Sequence, residues 1–177
     1  GYGEETLAAF GIVYRLEMLV FLIILSIASV MTIFAGQNIA ADKPIRIREA
    51  FAKTTRFTLA WSALVVLLSL IPGNHFIGLF SDDSRVLAVV SDYLTIVAFS
   101  YGFNGILIIG SSVLNGINRP TQSLYFIVFK MLGLYLPLVF LGSWLFGLTG
   151  IYWAIFVANL LPGIACLFFL RYRVLNH

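Results

Sequence analysis

The stretch LAAFGIVYRLEMLVFLIILSIASVMTIFA, residues 7–35, decides the fold. It is almost wholly apolar and long. A helix needs only about 20 mostly apolar residues to cross the hydrocarbon core of a bilayer. A soluble core helix is rarely so long and usually carries a polar face. Four more apolar blocks follow, at 46–71, 86–115, 121–143 and 148–170, separated by short polar joints. In lipid every backbone polar group must be bonded internally, so a spanning chain is either helical or a closed barrel. Barrel strands are short and alternate in polarity. Leu19 to Leu25 and Trp61 to Ile71 do not alternate. The expectation is an all-α polytopic transmembrane bundle of five spans, forming a single domain over residues 1–177.

Composition agrees. Hydrophobic residues make up 60% and charged residues 11% of the chain, against about 25% charged in an average soluble domain. The net charge of +3 resides in the joints, where it reads as a topology signal and not as a nucleic-acid patch. The lone cysteine, Cys166, excludes an intrachain disulfide and a cysteine metal cluster. The chain opens on Gly1 with no basic leader and cleavage site, so no signal peptide is read and further sequence upstream is expected.

Lys and Arg set an orientation. Lys43, Arg46 and Arg48 fill the first joint, with Lys53 and Arg56 close behind. The second joint, with His75, Asp82, Asp83 and Arg85, has no such excess; the third carries Arg119 and the tail carries Arg171 and Arg173. The positive-inside rule puts the first joint, the third joint and the C-terminus in the cytoplasm, and the N-terminus outside. Pro44, Pro72 and Pro120 mark joints, because proline disfavours helix before it. Phe76, Ile77, Leu79 and Phe80 could lie flat at the outer interface, and Tyr152 and Trp153 suit an aromatic belt. The first and third blocks, about 29 and 30 residues, would each reach roughly 45 Å, so they should tilt or project.

Polar groups inside the apolar blocks are costly and need partners or a wet cavity. Arg15 and Glu17 lie in the first block; two residues apart on a helix, they do not face each other. Glu17 reads either as a carboxylate that binds a cation or proton, or as half of an interhelical salt bridge. Lys130, roughly 15 Å into the fourth block, reads as a charge that tunes such a carboxylate or as its fixed partner. Tyr101, Asn104, Ser111 and Asn115 recur on one helical face, which suits either a cavity wall or interhelical hydrogen bonding. Pro137 and Pro162 invite kinks. No ATP-binding G-x-x-x-x-G-K-[ST], H-E-x-x-H or Gly-x-Ser-x-Gly motif is present. His75 and His177 are far apart and suggest no metal site. An enzyme is not expected, nor a cofactor.

The stretch Ala9-Phe10-Gly11-Ile12-Val13-Tyr14-Arg15-Leu16-Glu17, ending in Phe34-Ala35-Gly36-Gln37-Asn38, resembles the multidrug and toxic compound extrusion (MATE) family. The run Ser112-Val113-Leu114-Asn115-Gly116-Ile117-Asn118-Arg119-Pro120 looks like that family's Leu-x-Gly-x-Gly-Arg-Pro turn. Leu136-Pro137-Leu138 and Gly147-Leu148-Thr149-Gly150-Ile151-Tyr152-Trp153-Ala154 fit its last two helices. The resemblance implies helices eight to twelve of a two-bundle antiporter in the cell membrane, whose partners are the bilayer and an N-terminal bundle missing here. It implies export of organic cations or drugs in exchange for Na+ or H+ by alternating access. Asn104 falls where several members carry a coupling aspartate, so Na+ near Asn104 is an expectation, while an amide there cannot titrate. Glu17, Tyr101, Asn104 and Lys130 are the expected cavity residues. The rivals are a lipid-linked saccharide flippase of the same superfamily and a non-transporting membrane scaffold.

Overall fold

The computed structural model describes residues 3–71 and 83–174, with only the backbone of Arg173. His75, Phe76, Ile77, Leu79, Phe80, Asp82 and His177, and with them the outer-interface segment expected before Asp83, lie outside the described residues. Helix α1 runs Glu4–Ala40 and α2 Pro44–Ser69. Helix α3, Ser84–Val97, passes through a tight turn at Ala98–Ser100 into α4, Tyr101–Gly116. Helix α5, Pro120–Val128, widens over Phe129–Tyr135 and continues as α6, Leu136–Phe169.

Among the described residues, four helical stretches are long and apolar enough to cross a membrane: Glu4–Ala40, Pro44–Ser69, Ser84–Gly116 and Pro120–Tyr172. The last is 53 residues long. Held straight it would reach about 80 Å, far beyond a ~30 Å core. It does not stay straight. Gly147 takes φ 62° and ψ −136°, a backbone conformation that residues with a Cβ rarely adopt. Beyond it the chain folds back so closely that a Cβ on Gly142 or Gly150 would strike the other's backbone.

The joints follow the sequence chemistry. Pro44 and Pro120 each open a helix, where a missing N–H costs nothing. Asp42 and Asn118 take φ 54° and 60°, left-handed values that short polar side chains tolerate. Asp83 caps α3: its Oδ1 accepts from the Arg85 N–H at 2.9 Å, and that backbone bond holds its carboxyl below the usual range. Arg85 also pairs with Glu5 at 2.5 Å, tying the starts of α1 and α3. The widened turns at Phe129–Tyr135 lie just before Pro137, whose ring nitrogen cannot bond the carbonyl four residues earlier.

Helix α4 is the centre of the bundle, packed on α1, α2, α5 and α6. Glycines allow that proximity. A Cβ on Gly116 would meet the Thr32 carbonyl of α1, and one on Gly163 the Phe103 carbonyl; small residues at such contacts let membrane helices approach closely. Two apolar clusters result. Ile24, Met31, Phe51, Ile109, Leu114 and Leu170 lie in one, and Ile12, Val66, Val90, Val97, Tyr101 and Tyr152 in the other. Leu22, Val30, Leu67, Phe140 and Trp144 stay exposed on the outside, as expected where the solvent is lipid.

Tyr152 departs from its expected place in an interfacial belt. It is buried, with its ring edge-on to Phe10 and Tyr93. Trp153, the next residue, does face outward.

Candidate functional site

At one level of the bundle interior α1, α3, α4 and the end of α5 bring five polar side chains together. Glu17 comes from α1. Its Oε1 accepts two hydrogen bonds, from the Tyr93 hydroxyl of α3 at 2.7 Å and the Tyr101 hydroxyl of α4 at 3.0 Å. Both phenols are buried, and Phe21 of α1 packs edge-on against the Tyr101 ring. Oε2 takes no partner among the described residues. One turn along α4, Asn104 accepts at Oδ1 from the Lys130 Nζ at 2.6 Å. Lys130 stands where α5 gives way to the widened turns, and its side chain crosses to α4. Asn104, Glu17 and Lys130 are half-buried.

The salt bridge that would make Lys130 the fixed partner of Glu17 does not form. Among the described residues, neither Arg15 nor Lys130 comes within 4.0 Å of the Glu17 carboxylate, and Arg15 is exposed. The Glu17 charge nonetheless acts on Lys130. The carboxylate therefore has neutral phenols as its direct partners and a cation one step away.

The four expected residues, Glu17, Tyr101, Asn104 and Lys130, thus meet in two neighbouring pairs. Tyr93 is the one that sequence reasoning missed. A signal existed: a tyrosine in an apolar block needs a partner for its hydroxyl, as Tyr101 does. The rest of the polar face on α4 divides. Ser111 is buried, and its Oγ has no hydrogen-bond partner among the described residues. Asn115 is exposed at the far end of the helix.

A second polar contact braces the tight turn at Ala98–Ser100. Asn159 of α6 donates to Ser100 Oγ at 3.0 Å, and Ser62 of α2 donates to the Ala98 carbonyl at 3.4 Å. A greasy groove of about 680 Å³ lies on the Gly142–Gly150 fold-back, lined by Leu138, Leu145, Phe146 and Trp153 among others. None of the five polar residues reaches it.

A helical bundle that crosses the membrane and keeps a carboxylate, an ammonium and an amide in its interior has the make-up of a membrane transport protein. Charges in such places are expensive and mark ion or substrate paths. The chain belongs to the MatE family, whose model matches residues 1–141. It is thus an integral protein of the cell membrane.

Relatives and folds agree. An FAD transporter of Shewanella oneidensis is 34% identical over 171 residues, covering 97% of this chain and 38% of that protein. The multidrug export protein MepA of Staphylococcus saprophyticus is 24% identical over 167 residues, covering 94% of this chain and 37% of that protein. The MATE transporter VcmN of Vibrio cholerae, in its bent form, superposes with a TM-score of 0.87 at 23% identity, over 94% of this chain and 38% of that one. A MOP superfamily transporter from Pyrococcus furiosus gives 0.85 at 18% identity, over 97% and 39%. The chain spans about two-fifths of the length of the proteins it matches.

Proposed function

We propose that the chain is one wall of a secondary antiporter that exports cationic or amphipathic drugs against Na+ or H+. It contributes five crossings, with residues 120–172 making two of them about Gly147. The start lies outside and the tail in the cytoplasm, in line with the Lys and Arg placement. These crossings correspond to helices eight to twelve of a two-bundle protein. The two bundles rock about a site near the midplane, so each face of the membrane is reached in turn.

The observation that carries the reading is the polar cluster. Among the described residues Glu17 keeps one oxygen free of partners. That oxygen faces a choice between a proton, a metal cation and a substrate cation. Lys130 and Asn104 hold the opposite charge and an amide one turn away. Opposed charges in one cluster let loading of one ligand alter the affinity for another, which is what exchange requires.

A second reading concerns the cargo. The relative at 34% identity is named for FAD, a planar, aromatic, anionic dinucleotide. Lys130 would attract its phosphates, and the half-buried Phe21 ring offers apolar surface for a flavin. A flippase, which would want several arginines facing its cavity, is less well supported: among the described residues Lys130 is the basic side chain bonded within the polar cluster, and Arg15 is exposed.

The test is export by the full-length protein in liposomes under an imposed ion gradient. One arm carries a fluorescent organic cation and the other FAD. Gradient-driven loss of the cation supports the first reading, and of FAD alone the second. No gradient-driven loss of either would overturn transport and leave a scaffold.

A further inference from the structure

We infer that Lys130 is a tethered cation that permanently occupies the ion position at Asn104, leaving Glu17 to couple transport with a proton alone. The inference rests on the reading of the chain as part of an ion-coupled exporter.

Asn104 has one hard oxygen to offer, its amide carbonyl, and such oxygens are the ligands of alkali and alkaline-earth cations. That oxygen is already taken. The Lys130 ammonium sits on it at 2.6 Å, within the range of a short charge-assisted bond. An ammonium on a flexible stem is a compact point charge of +1, the same charge that Na+ would bring. The stem reaches from the widened turns that begin at Phe129, so the charge is supplied by the chain and cannot diffuse away.

Among the described residues the formally charged side chains beside this cluster are Glu17, Lys130 and, next to Tyr93 on the exposed face of α3, Asp92. Glu17 itself is differently placed. Its neighbours are Tyr93 from α3, Tyr101 from α4 and Lys130 from the end of α5, with Tyr152 of α6 stacked edge-on behind Tyr93. Helix α2 faces this stretch of α1 with Trp61, whose Nε1 donates to the Val20 carbonyl at 3.1 Å. Arg15, on the same helix as Glu17, is turned outward. Among the described residues the oxygens bonded to Glu17 are those of two phenols, both donating to Oε1. They leave Oε2 able to form an O–H bond with an arriving proton and to break it on the other side.

Lys130 thus sets ion specificity, and its removal should convert the protein to a Na+ responder. The experiment uses the full-length protein, wild type and Lys130→Met, with Na+ exchanged for choline at constant ionic strength. Melting in detergent and export from liposomes are read side by side. Wild type should give the same melting temperature and rate in both salts. Lys130→Met in choline should lose about tenfold to hundredfold in export, the range found when a group that orients an ion ligand is removed. Na+ should restore part of that rate and raise the melting temperature of the variant only. Lys130→Gln keeps an N–H for Asn104 and should respond to Na+ in the same way if Lys130→Met does not fold. Lys130→Arg, which keeps the charge, should stay indifferent.

Na+-dependent melting or export in wild type would overturn the inference, as would variants as indifferent to Na+ as wild type. Absence of export in every form, with Na+-specific stabilisation of Lys130→Met intact, would refute the transport reading and keep the tethered cation.

Discussion

Replacing Glu17 in two ways separates its charge from its shape. Its Oε1 is the acceptor for two phenols, Tyr93 at 4% and Tyr101 at 1% exposure. Glu17→Gln keeps a carbonyl oxygen where Oε1 stands, so both hydroxyls retain an acceptor. What is lost is the charge-assisted excess, about 1 kcal/mol per bond. Against that, a carboxylate no longer has to be kept out of water, which returns energy of the same order or more. With no ion pair within 4.0 Å to break among the described residues, Glu17→Gln should change stability by no more than about 1 kcal/mol. Glu17→Leu is different. It strands two buried hydroxyls, each costing about 1–3 kcal/mol, for a total of roughly 2–6 kcal/mol.

The assay is reversible unfolding of the full-length protein in mixed micelles, on both single variants and on Glu17→Leu combined with Tyr93→Phe and Tyr101→Phe. The triple variant removes the stranded hydroxyls together with their acceptor. It should recover most of the loss, since replacing all partners of a buried network by apolar groups is often close to neutral. Reconstituted into liposomes, Glu17→Gln should lose gradient-driven export while keeping its fold. Equal destabilisation by Gln and Leu would refute the reasoning, because it would make the charge itself the structural element and Lys130 or Arg15 its true partner. Normal export by Glu17→Gln would remove the coupling role.

Other consequences are as direct. Asn159→Leu removes the donor to Ser100 Oγ and puts a larger apolar group against the tight turn at Ala98–Ser100; it should cost about 1–3 kcal/mol, read by the same unfolding measurement, while Asn159→Ser should cost less. Gly163→Ala drives a methyl into the Phe103 backbone carbonyl, which cannot swing aside as a side chain would, and should destabilise by about 1–3 kcal/mol, whereas Gly11→Ala, with open space around it, should be neutral or slightly stabilising. In a Cys166→Ser background, a membrane-impermeant thiol reagent on intact cells should label Ser84→Cys and spare Asp42→Cys; the reverse pattern would invert the proposed orientation.

What could be read from the chain alone follows the kind of physics involved. Span positions are a one-dimensional property, set by runs of apolar residues and interrupted by proline, glycine and charge, so the blocks anticipated the helices to within a few residues at most ends. The blocks at 121–143 and 148–170 left a gap that carries no charge, and Gly147 within it takes φ 62°. The partners were not legible. Glu17 invited a basic partner on electrostatic grounds, and Arg15 and Lys130 were available, but which side chains meet depends on how α1, α3 and α4 are rotated about their own axes. That rotation is fixed by close approaches such as Gly116 on the Thr32 carbonyl. Helical periodicity could place Tyr101 and Asn104 on one face of α4, yet it also placed Ser111 and Asn115 there, and only the first two reach charged groups. Tyr93 lies on the other side of the tight turn at Ala98–Ser100, where the regular period breaks. The same turn therefore hid one residue of the site from the sequence and, by re-aiming the chain between Tyr93 and Tyr101, allows two phenols on one span to converge on a single carboxylate oxygen.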